Sequence, residues 1–166
     1  MNLQDSEVEI IGFKGSIDSV SDLLSKISKF NQGNSIVQLL NADGICNKNH
    51  VYHSINQALL SFERGENLAK ELSVEIILRC SAQRQISKAF ELLGLKEGNM
   101  NLCGIFINCS NEIIDYLSST FEVDDDVLLA NELKLKEIYD ISDNMLESMP
   151  MEKIILDKVT KLTVDY

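Results

Sequence analysis

The residues with the clearest binding chemistry lie together at residues 79–88. The pattern predicts a strand that runs into the N-terminus of a helix, where free backbone N–H groups favour anions. Arg84 and Lys88 stand one helical turn apart, with Gln83 and Gln85 beside them. These side chains can bind phosphate oxygens, base edges or a carboxylate. They can equally form a solvated helix face whose arginine makes surface ion pairs, and the residue types leave both interpretations open.

A second group of side chains has the residue types of a metal site. Cys46, His50 and His53 form the pattern C-x3-H-x2-H, and cysteine and histidine are the usual ligands of zinc. A structural zinc site needs four ligands, but the chain has only these two histidines. We therefore predict no metal. The helix face that carries His50, His53 and Gln57 is then either a solvated or packed polar surface or a binding surface for a partner.

The motifs of common enzyme classes are missing from the sequence. It has no G-x-S-x-G nucleophile turn, no G-x-G-x-x-G and no G-x-x-x-x-G-K-[ST] phosphate loop. The carboxylates of residues 122–126 do not have the spacing of a calcium loop, and they precede a helical pattern whose N-terminus they would stabilise. We predict that the protein is not an enzyme and needs no cofactor. An enzyme would require a turnover that depends on Cys80 or His53.

The charge of the chain is unevenly distributed. The net charge is −11, and residues 1–47, 48–96 and 97–166 carry −3, +2 and −10 respectively. Such an acidic protein repels a phosphate backbone at long range, so only the middle third can attract an anion.

The composition is that of one soluble domain. The chain has 166 residues, of which 45% are hydrophobic and 25% are charged, with one proline and eight glycines. A chain of this length can bury a core without a metal or a disulfide. We expect a single domain over residues 1–166. No apolar run reaches the roughly 20 residues that span a bilayer, and the first residues lack the order of a secretory signal. We therefore expect no membrane association and a cytoplasmic protein.

Hydrophobic periodicity predicts alternating strands and helices over the first 120 residues. We predict strands at residues 8–13, 35–40, 74–78 and 101–108, and helices from about residue 18 to 30, at 48–62, after Ser81 as far as Gly94 in the C′ position, and after Ser110. This order indicates an α/β fold with a four-stranded sheet, which we expect to be mixed, packed with helices.

The last 45 residues carry two further helical patterns, which are separated near Pro150. The final pattern, at residues 151–162, repeats apolar side chains at helical spacing. These apolar side chains are candidates for a partner-binding surface, although the pattern favours a role in the core. They are Ile154, Ile155, Val159 and Leu162.

Three segments together resemble a known family. They are Gln38-Leu-Leu-Asn-Ala-Asp43 followed by His50-x-x-His53-Ser-Ile-Asn-Gln57-Ala, then Phe62-Glu-Arg-Gly-Glu-Asn-Leu-Ala-Lys70, and then residues 76–94 with the core Ser81-Ala-Gln-Arg-Gln-Ile86. In this order and spacing they resemble the small, non-catalytic subunit of the KEOPS (EKC) tRNA-modification complex, the PRPK-binding protein family. The similarity covers residues 36–110 well and the C-terminal part loosely.

The resemblance implies an α/β protein without an active site that docks on the small lobe of a kinase-like ATPase. It also implies a role in making N6-threonylcarbamoyladenosine in ANN-decoding tRNAs, in which this subunit holds the 3′ CCA end of the tRNA. The positions that match the family motifs, and that we expect to bind tRNA, are Gln83, Arg84, Gln85, Ile86 and Lys88 together with His50, His53, Asn56 and Gln57.

A different class of function is compatible with the same residues. In a metabolite-binding regulatory domain without an RNA role, the helix N-terminus after residue 81 would bind a small anion. Co-purification of a kinase-like subunit from a native source would distinguish the two classes.

Overall fold

The computed structural model describes residues 6–164 of the chain. Its strands are β1 (Val8–Ile17), β2 (Ile36–Asn41), β3 (Gly98–Ile107) and β4 (Glu122–Val123). Its α-helices are α1 (Val20–Ser28), α2 (Lys48–Glu63), α3 (Leu72–Ser81), α4 (Ile86–Leu93), α5 (Asn111–Thr120), α6 (Glu132–Tyr139), α7 (Asp143–Ser148) and α8 (Met151–Val164). Two short 3-10 turns, Ala42–Gly44 and Asp125–Leu128, complete the regular structure of this part of the chain.

The four strands form one sheet in the order β2-β3-β1-β4. All three strand pairs are antiparallel. Ile107 of β3 pairs with Val8 of β1 on one side and with Ile36 of β2 on the other. The predicted α/β class, with four strands and C-terminal helices, is confirmed. The sheet is antiparallel and not mixed, because apolar runs report only that both faces are covered and carry no information on strand direction.

One predicted strand, at residues 74–78, is wrong, since these residues lie within α3. Almost every side chain of α3 is buried, so the helix lacks the polar face that produces a period of 3.6. A short run of buried, branched residues cannot be distinguished from a buried strand by periodicity alone. The fourth strand is instead β4, which has two residues and pairs with β1.

The predicted bounds of the next helix also need correction. Ser81 is the last residue of α3 and not an N-cap, and its hydroxyl donates to the carbonyl of Ile77 at 2.8 Å. The N-cap of α4 is Gln85. Gly94 follows α4 with φ −76°, so it is not in the left-handed conformation of a C′ glycine. A Cβ there would lie 2.3 Å from the carbonyl oxygen of Phe90, and this close approach requires glycine.

Helices cover both faces of the sheet. The side chains of Ile105 and Ile107 on β3 pack with α2, α3 and α4, whereas Phe106 points to the opposite face and packs with α1 and α5. This alternation follows from the period of two in a strand. The molecule therefore has three layers, with the sheet between two layers of helices. Helices α6, α7 and α8 pack at the periphery with a smaller apolar cluster of their own.

Helix α8 lies against α2 and α3. Its apolar residues Ile154, Ile155, Val159 and Leu162 are all buried within the chain. The prediction that these side chains bind a partner is therefore wrong, and the alternative, a core role, is what the structure shows. Within residues 6–164, no helix combines the length and the hydropathy that crossing a membrane requires.

Candidate functional site

The stretch with binding chemistry forms the turn between α3 and α4. Ala82, with φ 55°, ends α3 in the left-handed conformation, and Gln85, in an extended conformation, is the N-cap of α4. The guanidinium of Arg84 donates from Nη2 to the carbonyl oxygen of Leu162 at 3.0 Å. This hydrogen bond joins the turn to the end of α8, although 78 residues separate the two in the chain.

A cavity of about 370 Å³ opens between this turn, the end of α6 and α8. Gln83 and Arg84 line one wall, and Lys158 and Lys161 of α8 line another. Asp140 is the one carboxylate among the lining residues. Three cations against one carboxylate make the cavity attractive to an anion in an otherwise acidic protein.

The other predicted residues of this stretch lie at the surface beside the cavity. Gln85 and Lys88 are exposed, and the ammonium of Lys88 forms an i,i+3 ion pair with Glu91 at 3.6 Å. Ile86 is 45% exposed and Phe90, one turn further on α4, is 38% exposed. The first turns of α4 therefore present two apolar side chains and a cation to solvent.

The polar face of α2 is partly covered by α8. The Nε2 atom of His53 lies 2.7 Å from the hydroxyl of Thr160, and Gln57 accepts a hydrogen bond from the hydroxyl of Thr163 at 3.0 Å. Asn56 is half-buried beside them. The two groups of residues that the sequence placed at a binding surface thus both contact the last turns of α8, and His53 and Gln57 already have partners there.

His50 belongs to the core, and the prediction that it faces RNA is wrong. Its side chain is fully buried. Its Nδ1 accepts from the backbone N–H of Cys46 at 3.1 Å, so Nε2 carries the proton and donates to the carbonyl oxygen of Cys80 at 2.9 Å. Both ring nitrogens are engaged, and neither is free to ligate a metal. Burial lowers the pKa of His50 to about 4, and the imidazole is neutral at pH 7.

This buried histidine predicts a loss of stability in mild acid. The pKa of His50 is about 4 in the folded protein and about 6.5 in the unfolded chain. Between these two pH values the unfolded state therefore binds more protons than the folded state. The free energy of unfolding should be unaffected above pH 6.5 and should fall by about 3 kcal/mol as the pH drops to 4. Urea denaturation of the wild type and of His50→Gln across this range measures the difference.

The control for this pH dependence is His53→Gln, because His53 is half-buried at the surface and should contribute less. If the wild type and His50→Gln lose the same free energy between pH 6.5 and 4, the assignment of the effect to His50 is wrong.

The cysteines nearest to His50 are poorly suited to nucleophilic chemistry. Burial raises the pKa of Cys46 to about 11 and that of Cys80 to about 12, so both remain thiols at neutral pH. Among the residues described, no group of three or more Cys, His, Asp or Glu side chains has the arrangement to hold a metal ion.

Lys158 and Lys161 are the site residues that sequence reasoning missed. They supply two of the five basic residues in the last third of the chain, three positions apart, in a region of net charge −10. Two neighbouring lysines in so acidic a region could have marked them as candidate binding residues, but the sequence does not indicate which surface they face.

Comparison with known proteins places the chain in a family. A family model described as "Kinase binding protein CGI-121" matches residues 16–161, which is most of the chain. The chain belongs to the CGI-121 family. Among CGI-121 proteins, "Regulatory protein Cgi121" from Methanocaldococcus jannaschii is 37% identical over 129 residues, which cover 75% of this chain and 84% of that protein. The resemblance drawn from the sequence motifs is thereby confirmed.

Proposed function

We propose that this CGI-121 protein is a non-catalytic accessory subunit of the KEOPS complex that binds the kinase-like ATPase subunit and the 3′ CCA end of tRNA. In this role it supports N6-threonylcarbamoyladenosine modification of ANN-decoding tRNAs in the cytoplasm. The family description supports the kinase partner. The observation that carries the RNA part is the cavity in which Gln83 and Arg84 meet Lys158 and Lys161.

The chemistry of this cavity suits the end of a nucleic acid strand. Guanidinium and ammonium groups bind phosphate oxygens, and the amide of Gln83 can donate to or accept from a base edge. Single-stranded RNA ends are bound through unstacked bases against aromatic or apolar side chains, which Phe90 and Ile86 offer beside the cavity. Lys88 adds a cation at the same surface.

The acidity of the rest of the chain limits this interaction to short range. With a net charge of −11, the protein as a whole repels a tRNA backbone, and only the cavity and its rim attract it. We expect weak binding by the isolated subunit and tighter binding when the kinase-like partner holds the body of the tRNA nearby, because two linked contacts raise the effective concentration at each.

A metabolite-binding regulatory domain is the second candidate, and the size of the cavity is the observation that favours it. About 370 Å³ lies within the range of small-molecule sites. The affinities of the protein for AMP and for inorganic phosphate distinguish these two candidate functions. A metabolite-binding domain should bind one of them with higher affinity than an RNA that ends in CCA, whereas a tRNA-binding subunit should prefer the RNA.

Arg84→Glu should weaken the binding of a CCA-ended ANN-decoding tRNA transcript by about 1–3 kcal/mol, which is roughly 5- to 150-fold. The substitution removes a charge-assisted donor from the cavity and adds a charge that repels phosphate. Electrophoretic mobility shift at low salt measures the change. A double variant of the opposite wall, Lys158→Glu with Lys161→Glu, should weaken binding in the same direction.

The matched control is Arg64→Glu, which makes the same change of charge at an exposed arginine just after α2. It should leave tRNA affinity nearly unchanged. Circular dichroism must show that Arg84→Glu remains folded, since the residue also holds Leu162. Equal affinity of wild type and Arg84→Glu, or equal affinity of the wild type for tRNA with and without CCA, would contradict the RNA function.

A further inference from the structure

Two helices end at the cavity beside Arg84 in the same uncommon backbone conformation. Ala82 after α3 has φ 55° and Asp140 after α6 has φ 54°, and both residues line the cavity. Only one other non-glycine residue has a positive φ in the part of the chain that the structure describes. The left-handed region is unfavourable for an alanine, and such a conformation persists where surrounding contacts hold it.

The turn after α3 is a Schellman motif. The backbone N–H of Ala82 donates to the carbonyl of Arg79 at 3.1 Å, and that of Gln83 donates to the carbonyl of Leu78 at 3.0 Å. These two hydrogen bonds satisfy carbonyls of the last turns of the helix. The motif leaves the carbonyl of Cys80, in the last turn of α3, to be satisfied by groups from elsewhere in the chain.

Two buried side chains satisfy this carbonyl. Nε2 of His50 donates to the carbonyl oxygen of Cys80 at 2.9 Å, and the hydroxyl of Tyr139 lies 2.8 Å from the same oxygen. The hydroxyl also lies 2.6 Å from the carbonyl oxygen of Gly44, so its one proton is shared between two acceptors. The rings of His50 and Tyr139 pack edge to face, with their centroids 5.9 Å apart. The last turn of α3 is thereby tied to α2, to α6 and to the 3-10 turn Ala42–Gly44.

The same 3-10 turn also holds the helix on the other side of the binding turn. A Cβ at Gly44 would overlap the side chain of Leu93, so α4 packs directly on this backbone. Leu93 is the last residue of α4 and is fully buried. Gln83 and Arg84 therefore lie on a short segment between two helices that are both attached to the backbone of Gly44.

The hydroxyl of Tyr139 is not available to a ligand in the cavity. The side chain is 5% exposed, and both of its hydrogen-bond contacts are to backbone carbonyls of the protein itself. A phenylalanine would fill the same space, so packing alone does not require the hydroxyl. What the hydroxyl adds is a fixed position for the end of α3, and a binding group that is held before its ligand arrives loses less conformational entropy on binding.

We propose that Tyr139 is a positioning residue for the cavity. Through the carbonyl of Cys80 it holds the turn after α3 in the conformation in which Gln83 and Arg84 meet the RNA end. His50 acts through the same oxygen, which gives this buried histidine an indirect part in the site. The inference rests on the proposed tRNA function and adds to it the contacts that form the cavity before RNA binds.

The test is Tyr139→Phe in the full chain, which removes the hydroxyl and keeps the ring. Affinity for the CCA-ended tRNA transcript should fall roughly three- to tenfold, because Gln83 and Arg84 must then be ordered on binding. Without RNA, hydrogen exchange of the Ala82 and Gln83 amides, measured by NMR, should become roughly fivefold faster. The melting temperature should fall by only a few degrees, as expected for the loss of one hydrogen bond.

A second measurement separates positioning from a general loss of stability. In an Arg84→Ala background, Tyr139→Phe should lower tRNA affinity by a smaller factor than in the wild type, because the charged side chain that it positions is absent. A change that acts only on stability would lower affinity by the same factor in both backgrounds. The stability-matched control is Ile113→Val, a fully buried position of α5 on the other face of the sheet. It should leave tRNA affinity and the exchange of the Ala82 and Gln83 amides unchanged.

Three results would overturn the positioning role and leave the tRNA function intact. They are unchanged tRNA affinity of Tyr139→Phe, equal losses of affinity in the wild-type and Arg84→Ala backgrounds, and unchanged exchange of the amides in the turn. If the wild type itself binds tRNA equally well with and without CCA, the proposed RNA function fails and the positioning role for RNA fails with it. That outcome is recognised from the wild type alone, before any variant is compared.

Discussion

Replacing Glu75 by alanine should lower the free energy of unfolding by about 3–5 kcal/mol, because it leaves a buried arginine without its counter-charge. Glu75 and Arg79 are both fully buried on α3, with Nε of Arg79 donating to Oε2 of Glu75 at 2.8 Å. The other oxygen of Glu75 accepts from the backbone N–H groups of Leu68 and Ala69 at 2.8 and 2.7 Å. Urea denaturation measures the loss.

The double variant Glu75→Leu with Arg79→Met should lose less stability than either single replacement, since no unpaired charge remains buried. In the wild type, Nη2 of Arg79 lies 2.8 Å from Oε2 of Glu75 but makes no hydrogen bond within the described residues, so the pair is not ideally satisfied. Asp157→Ala is the control, because it breaks an exposed i,i+4 pair with Lys153 and should have little effect. A loss below about 1 kcal/mol for Glu75→Ala would refute the argument.

Deleting residues 150–166 should prevent folding. The deletion removes four buried apolar side chains of α8, each worth roughly 1.5–3 kcal/mol, so about 6–12 kcal/mol in total. That is comparable to the entire stability of an ordinary domain, about 5–15 kcal/mol. The truncated protein should therefore lack a cooperative thermal transition in circular dichroism and should aggregate.

Point variants separate this effect from a mere shortening of the chain. Ile155→Ala, at a fully buried position, should cost about 2–5 kcal/mol, whereas Lys153→Ala, two residues earlier and exposed, should cost little. A truncated protein that melts cooperatively and has lost only its kinase partner would restore α8 as the interface.

The helices predicted correctly are those with one clearly polar side. Helix α2 was expected at residues 48–62 and is observed at Lys48–Glu63, with an apolar stripe on one face and Asn47 as its N-cap. Helix α5 begins after Ser110 as predicted. The sequence of α3 predicts a strand because the helix is buried on nearly all sides, so that it shows no periodic contrast between apolar and polar residues.

The candidate site, like the fold, could be predicted from the sequence only in part. Residue types alone singled out Gln83 and Arg84, since an arginine and an amide beside a helix start are the groups that bind anions and base edges. They did not reveal that Lys158 and Lys161 face the same cavity, because more than seventy residues of chain lie between the two walls. His50 and His53 look equivalent at helical spacing, yet one is buried and the other lies at the surface.

The α/β class, the family and the residue types of the candidate site could be predicted from the sequence, because composition, local periodicity and motif spacing are properties of short segments. Three features are visible only in the tertiary structure: the antiparallel direction of the sheet, the burial of His50 and the burial of the apolar face of α8. Each of these depends on which distant segment covers a given side chain, and that contact is made only when the chain packs.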